Sequence, residues 1–498
     1  MTVERFEISR NKNGDRQFLL SNMLNRHGLI AGATGTGKTV SLRKLAEYCS
    51  KAEIPVFLVD VKGDLSGLCK KGEKSGKIAD KMTYFSLPGE YLDGFPVRFW
   101  DTFGQKGIPF RITVSQMGAS LLARLLELNQ TQEGVLNILF KVADDDGLLL
   151  IDFKDLRAML GHIHDNKAQY QTKYGNISTA SVGAIQRALL KLENEGADKI
   201  FGEPAILLDD LIQTEDGKGV INILNAEYLT RSPALFSAIL LWLLAELFNN
   251  LPECGDLDKP KFILFFDEAH LLFNGTSKAL LEQIEQVVRL IRSKAVGVWF
   301  CTQNPLDLPD TVLGQLSGRI QHALRAFTPR DQKAVKAAAD TLRSNPNIKT
   351  AEAITELAVG EALVSFLDEH GSPSPVERAF ILPPSSQISP ISDAELNQKI
   401  RSDILFNTYF QAIDNYSAYE KLAENQQNSQ NTQAKEKEKK SPTVIEGALA
   451  GITGERKKSD AGIAYDIANQ VAKTARRQVI GKITRTISRG ILGALKGK

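Results

Sequence analysis

The chain has 498 residues, 43% of them apolar and 38 of them glycine. That is ordinary globular usage with enough apolar surface for a large core, and it excludes wholesale disorder, collagen and coiled-coil rods. Lys and Arg number 61 against 59 Asp and Glu, a net charge of +2 that selects no partner by itself.

The first ordered signal along the chain is an apolar run, HGLIA (27–31), followed by a glycine-rich loop. A helix pattern runs from about Lys38 to Ser50, and PVFLVD (55–60) reads as a buried strand with Asp60 at its carboxyl end. Strand, loop, helix and strand at this spacing predict a parallel α/β sheet. Residues 61–115 are turn-rich, and helical patterns such as SLLARLLEL and EGVLNILFKVA follow. A first core segment is therefore expected over 1–70, and a mostly helical insertion over 71–255. Its longest apolar run, Leu235 to Phe248, is shorter than the roughly 20 residues of a membrane span and reads as a buried core helix.

The core signal returns over 256–390. KFILFFDEAH (261–270) reads as a buried strand. The helix predicted over 277–294 lines up Leu280, Leu281, Ile284, Val287, Val288 and Ile291 on one face, close to the 3.6-residue period. VGVWFCTQ (296–303), GEALVSFLD (360–368) and ERAFILPP (377–384) read as further strands. A helical extension is expected over 391–423. Residues 424–443 have almost no apolar side chains and are expected to be a disordered linker. The tail 444–498 carries eleven Lys and Arg against four Asp and Glu. Its apolar or alanine residues recur every fourth position from Ile463. Three readings of the tail stand open: docking on a neighbouring subunit or partner, binding DNA phosphates, and peripheral contact with an anionic membrane.

The chemical signal is concentrated in a few places. Gly32, Ala33, Thr34, Gly35, Thr36, Gly37, Lys38 and Thr39 match G-x-x-x-x-G-K-[ST] in full, after a strand and opening a helix. Such glycines let the backbone wrap a phosphate chain, with loop N–H groups and the helix N-terminus facing the anion. Lys38 is placed to reach the β- and γ-phosphates, and the Thr39 hydroxyl to hold Mg²⁺. GEKSGK (72–77) is only a near-match, with the wrong glycine spacing and no Ser or Thr after its lysine. Asp267 and Glu268 end the strand FILFF: an aspartate there binds Mg²⁺, usually through water, and the adjacent acid polarises an attacking water. Gln303 ends VGVWFC and is placed to sense the γ-phosphate. Asp60 ends its own strand in the same crevice region, a supporting position. Among Arg319, Arg325 and Arg330, the first two are candidates for an arginine reaching a neighbour's phosphates. His270 closes D-E-A-H, a string shared with helicases of two fused motor domains, whose further arginine-rich motifs are not found here.

The order GATGTGKT, LVDVKGDL, FFDEAH, RSKAVGVWFCTQNPLDLPDTVLGQLSGRIQHALR resembles the HerA/FtsK superfamily of ring-forming motor ATPases, closest to the bacterial YjgR-type HerA-like family. The resemblance implies a RecA-like P-loop NTPase fold of ASCE type, with the Gln303 strand between the P-loop strand and the Asp267 strand. It implies ATP and Mg²⁺ as ligands, a hexameric ring with ATP at subunit interfaces, and double-stranded DNA as the substrate of a translocase or helicase; a cytoplasmic location is expected from the charged N-terminal residues and four isolated cysteines. It further implies Lys38, Glu268, Gln303 and one of Arg319 or Arg325 as the catalytic set, with Thr39 and Asp267 at the metal. A protein-moving ATPase of secretion or conjugation type, and an ATP-dependent assembly switch, are the alternatives. Only 31 residues precede Gly32, too few for the β-barrel of archaeal HerA, so that protein's nuclease partner is not carried over.

Overall fold

The computed structural model describes residues 3–255, 257–273 and 278–439, so the basic tail lies outside the described residues. Two compact units are present: residues 1–248 with 253–421, and residues 249–252 with those from 422 onward.

The first unit is built on one twelve-stranded sheet. In chain order the strands are β1 (Arg5–Asn11), β2 (Arg16–Leu20), β3 (Gly28–Ala31), β4 (Val56–Asp60), β5 (Val97–Asp101) and β6 (Ile108–Pro109). A two-stranded hairpin follows, β7 (Thr214–Glu215) and β8 (Lys218–Gly219). Then come β9 (Ile221–Asn225), β10 (Phe262–Phe266), β11 (Val296–Thr302), β12 (Gly318–Gln321), β13 (Glu361–Ser365) and β14 (Glu377–Ile381). The main sheet runs β2-β1-β14-β13-β12-β3-β11-β10-β4-β9-β5-β6. From β12 to β6 every neighbouring pair is parallel; from β12 back to β2 every pair is antiparallel. The fold is thus the expected mainly parallel α/β sheet, with β11 between β3 and β10.

The central strands are buried on both faces. Each residue of β3, β4, β10 and β11 is buried, which is why these strands read as continuous apolar runs rather than alternating ones. Trp299 of β11 lies across the starts of both β3 and β12, where a Cβ at Gly28 or Gly318 would come within 2.4 or 2.6 Å of its ring. Registers align Thr302 with Ala31, Ala31 with Gln321, and Phe266 with Phe300 and Val59. The carboxyl ends of five adjacent strands, β12, β3, β11, β10 and β4, therefore come level along one edge.

Three regions differ from the expectations. Residues 71–255 are mostly helical, as expected, but they do not stand apart from the core: they also supply β5, β6 and β9 to the main sheet, next to β4. INILN (221–225) is too short for a period to show against its helical surroundings. β1, β2 and β12 were not anticipated: β1 and β2 form one edge of the sheet, and β12 is a four-residue strand buried between β13 and β3. Finally, residues 424–439 continue the helix Ala418–Lys439. Glu, Gln, Lys and Ala favour helix whether or not a core is available.

The helix Pro233–Asn250 is long and apolar enough to cross a membrane by length and composition, yet 61% of it is buried inside the protein. It serves as the core helix that its apolar run predicts.

Candidate nucleotide-binding site

The glycine loop joins the end of β3 to α1 (Lys38–Lys51). Gly37 caps α1 in the left-handed region, φ 116°, a conformation that side chains disfavour. The first turn of α1 therefore points its unpaired N–H groups along the loop. Thr34 and Gly35 are exposed at the tip, and Thr39 is half-buried in the first turn. The Lys38 ammonium donates to the carbonyls of Gly32 at 2.6 Å and Ala33 at 3.2 Å. Burial lowers its pKa. Lys38 is thus folded against its own loop, held by weak neutral acceptors that phosphate oxygens would outcompete. The loop is braced by its neighbours: the Ala33 N–H donates to the Ala323 carbonyl at 2.8 Å, and the Gly360 N–H to the Thr36 carbonyl at 2.9 Å.

Across the crevice, Asp267 follows the last residue of β10. It is buried, and its Oδ2 has no hydrogen-bond partner among the described residues. Burial first, then the neighbouring Glu268 charge, raise its pKa to about 6. An unpartnered buried carboxylate oxygen demands an explanation. Asp267 and the Thr39 hydroxyl are hard oxygen donors that fit Mg²⁺, which binds through few protein ligands and keeps most of its waters.

Glu268 adopts a left-handed backbone, φ 49°, uncommon for a residue with a side chain. Two donors and the His270 ring converge on its carboxylate. Lys62 pairs with Oε1; the Gln303 amide lies 3.3 Å from Oε2; and His270 Nδ1 lies 3.3 Å from Oε2. Burial opposes ionisation, but His270 and Lys62 outweigh it and hold Glu268 at about 2. The hydrogen bond to Glu268 in turn raises the His270 pKa. The expected acid, Glu268, and the expected sensor, Gln303, are therefore in direct contact.

Asp60 plays a different part from a ligand. Its Oδ1 accepts from the backbone N–H groups of Gly63 (2.7 Å) and Lys62 (3.2 Å), and its Oδ2 from Leu65 (3.1 Å). It shapes the turn that delivers Lys62 to Glu268. Lys62 was not singled out from the sequence, although a lysine two residues past a strand-end aspartate, in LVDVKGDL, was the available signal. His270 was read only as part of a helicase-like string.

The two candidate arginines part company. Arg319 lies within β12, is 9% exposed, and donates to the Leu313 carbonyl at 2.7 Å. Burial lowers its pKa to about 10. Enclosed within its own chain, it does not have the reach expected of an arginine that contacts a neighbouring copy. Arg325 is exposed and lines a cleft of about 600 Å³ beside Ala33, Thr34 and Gln303. Arg330 borders the same cleft, 3.9 Å from Asp307.

Behind the loop, α1 is anchored by a buried cluster. Glu47 accepts from the backbone and hydroxyl groups of Ser385 and Ser386 at 2.7–2.9 Å, and from Lys44 at 3.1 Å. Arg43 donates to the Gln387 carbonyl at 2.7 Å and to the Asp64 carbonyl. The helix that opens at Lys38 is thereby fixed to the turn bearing Lys62.

The family described as "Helicase HerA-like C-terminal" matches residues 5–498. The chain belongs to this family. No curated protein matches by sequence. Among solved structures, the HerA-like chain is similar to the unbound bacterial conjugative coupling protein TrwB lacking its first 70 residues. The TM-score is 0.52 at 15% identity, over 77% of this chain and 91% of that one. TrwB in complex with ADP and Mg²⁺ gives a TM-score of 0.51 at 15% identity, over 79% and 98% of the two chains. VirB4 of Thermoanaerobacter pseudethanolicus gives 0.47 at 15% identity, over 77% and 95%. At these identities the likeness is one of fold: the RecA-like P-loop architecture expected of a HerA-like ATPase.

Proposed function

We propose that this HerA-like protein is a Mg²⁺-dependent ATPase that works as a homo-oligomeric ring motor, with double-stranded DNA as its substrate. The observation that carries the reading is the crevice at the ends of β3, β10 and β11. There a complete P-loop faces an unpartnered buried carboxylate, Asp267, and an ionised Glu268 in contact with Gln303.

The loop N–H groups and Lys38 bind the phosphate chain. When bound, Mg²⁺ would supply positive charge that offsets the charge developing on the phosphate oxygens. Thr39 and Asp267 are the residues to hold it. Glu268 orients and polarises the attacking water, and its low pKa keeps it an acceptor at neutral pH. Gln303, bonded to Glu268, links the state of the phosphates to the end of β11. Arg325, exposed beside the cleft, is the arginine we assign to a neighbouring copy's phosphates in a hexamer. Such a ring would work in the cytoplasm, where ATP is supplied. The fold likeness to a conjugative coupling protein supports the secretion or conjugation type of motor as a second reading.

The test is steady-state ATP hydrolysis by the full chain, with and without long double-stranded DNA. Stimulation by DNA that disappears in Glu268→Gln supports a DNA motor. Hydrolysis indifferent to DNA shifts the substrate to protein. A folded sample with Mg²⁺ and no hydrolysis overturns the ATPase reading.

A further inference from the structure

Directly beyond β12 stands His322, fully buried, on the side of the phosphate-binding loop away from solvent. Its backbone N–H donates to the Ala31 carbonyl at 2.7 Å, extending the β3–β12 pairing to the first residue of the turn. Its side chain lies against both ends of the loop. A Cβ at Gly32 would stand 2.5 Å from the His322 Cβ, and one at Gly37 would stand 3.3 Å from its Cε1. The glycines at these two positions, with φ of 154° and 116°, leave the space that the histidine fills.

Both ring nitrogens are used. Nδ1 lies 3.1 Å from the Glu361 carbonyl, and Nε2 lies 2.8 Å from the Ser41 hydroxyl. A carbonyl only accepts, so Nδ1 carries the proton. Nε2 then accepts from Ser41, one turn into α1. One neutral tautomer thus ties the first turn of α1 to the start of β13. The β13 side is itself firmly held: the Glu361 carboxylate accepts from the Ala358 N–H at 3.0 Å and from the Arg378 guanidinium at 2.9 Å.

We infer that His322 is a positioning residue for nucleotide binding: it holds the phosphate-binding loop and the first turn of α1 in their ligand-ready shape from behind. The inference rests on the nucleotide reading of the loop. His322 touches no ligand. It acts by removing freedom that the loop would otherwise lose on binding phosphate, so its effect belongs in affinity.

The experiment is titration of the full chain with a fluorescent ADP analogue (mant-ADP) and Mg²⁺, alongside thermal melting without nucleotide. The variants are Lys38→Ala, His322→Ala, Ser41→Ala and a distant core cavity, Leu160→Ala. The wild type is expected to bind and Lys38→Ala to fail. His322→Ala is expected to weaken binding about tenfold and Ser41→Ala about threefold, by loss of loop preorganisation. Leu160→Ala is expected to melt earlier yet bind as the wild type does. If His322→Ala does not fold, Ser41→Ala decides, since it leaves almost no cavity. Wild-type affinity in whichever of these two variants decides overturns the inference while the nucleotide reading stands. So does a loss of affinity in Leu160→Ala as large as in His322→Ala. No binding by the folded wild type overturns the nucleotide reading and this inference with it.

Discussion

Two clusters of buried charge lie on either side of α1, and they are built to opposite rules. In the cluster behind the helix, each oxygen of Glu47 is fully engaged: Ser385 and Lys44 bond one, Ser386 the other. In the crevice in front of it, Asp267 keeps an oxygen without a partner, Lys38 rests on loop carbonyls, and Glu268 holds a left-handed backbone. Buried charge by itself therefore does not mark function. A carboxylate engaged at both oxygens, as Glu47 is, fixes the fold, although Arg43 Nε beside it has no partner among the described residues; a buried carboxylate left under-satisfied at the ends of parallel strands is kept open for a ligand.

The largest test of this contrast is Lys38→Ala. It should lower ATP hydrolysis about a thousandfold, roughly 4 kcal/mol of transition-state stabilisation, while barely moving the melting temperature. A variant that melts far earlier would place Lys38 with the structural cluster instead. Glu47→Ala should do the reverse. Leaving the buried Lys44 and two serine N–H groups unpaired should cost about 3 kcal/mol of stability, read as a lower thermal midpoint, with a far smaller effect on hydrolysis than Lys38→Ala.

Asp267→Asn sharpens the comparison through pH. The Asp267 carboxyl has its pKa raised from 3.8 to about 6 by burial, so its ionised form penalises the folded state. That penalty is absent below pH 3.8, grows as pH rises toward the folded value, and is complete above about 6. Asp267→Asn should therefore raise the thermal midpoint of the nucleotide-free protein at pH 7.5, by about 3 kcal/mol of stability. The gain should vanish by pH 4, and Mg²⁺-dependent hydrolysis should be lost throughout. Glu47 runs the other way. Lys44 and the serine donors overcome burial and lower its pKa, so its stabilisation is present above the ordinary carboxyl value and is lost as pH falls through the folded one.

The smallest effects separate the two arginines. Arg325→Ala should reduce hydrolysis without lowering the melting temperature, as expected of an arginine that stabilises charge on the transferring phosphoryl group. Arg319→Ala should lower the melting temperature and leave hydrolysis per folded molecule close to the wild type. Exchange of the two outcomes would reverse their assignment.

How much of this was legible in the sequence depended on what kind of signal each part left. β3, β4, β10 and β11 are buried on both faces, so their apolar runs announced them. The acids and amide at their ends could then be placed by position alone. β9 and β12 are four or five residues long, with Asn222 and Arg319 inside them, and a short run with a polar residue shows no period. Asn222 is tolerated there because its amide bonds the carbonyls of Val56 and Leu211 and accepts from Trp100, partners brought together only by the fold. Lys62 and His322 were missed for the same reason. Each acts on a group 206 or 281 residues away in the chain, and no local pattern carries that pairing.

The central claim is that the under-satisfied crevice is where ATP is hydrolysed. The most direct test is the Mg²⁺-dependent ATPase rate of Glu268→Gln beside wild type, with bound nucleotide measured in the same samples. The expected result is hydrolysis lowered at least about a hundredfold, with ATP still bound. Hydrolysis at the wild-type rate in Glu268→Gln would contradict the account.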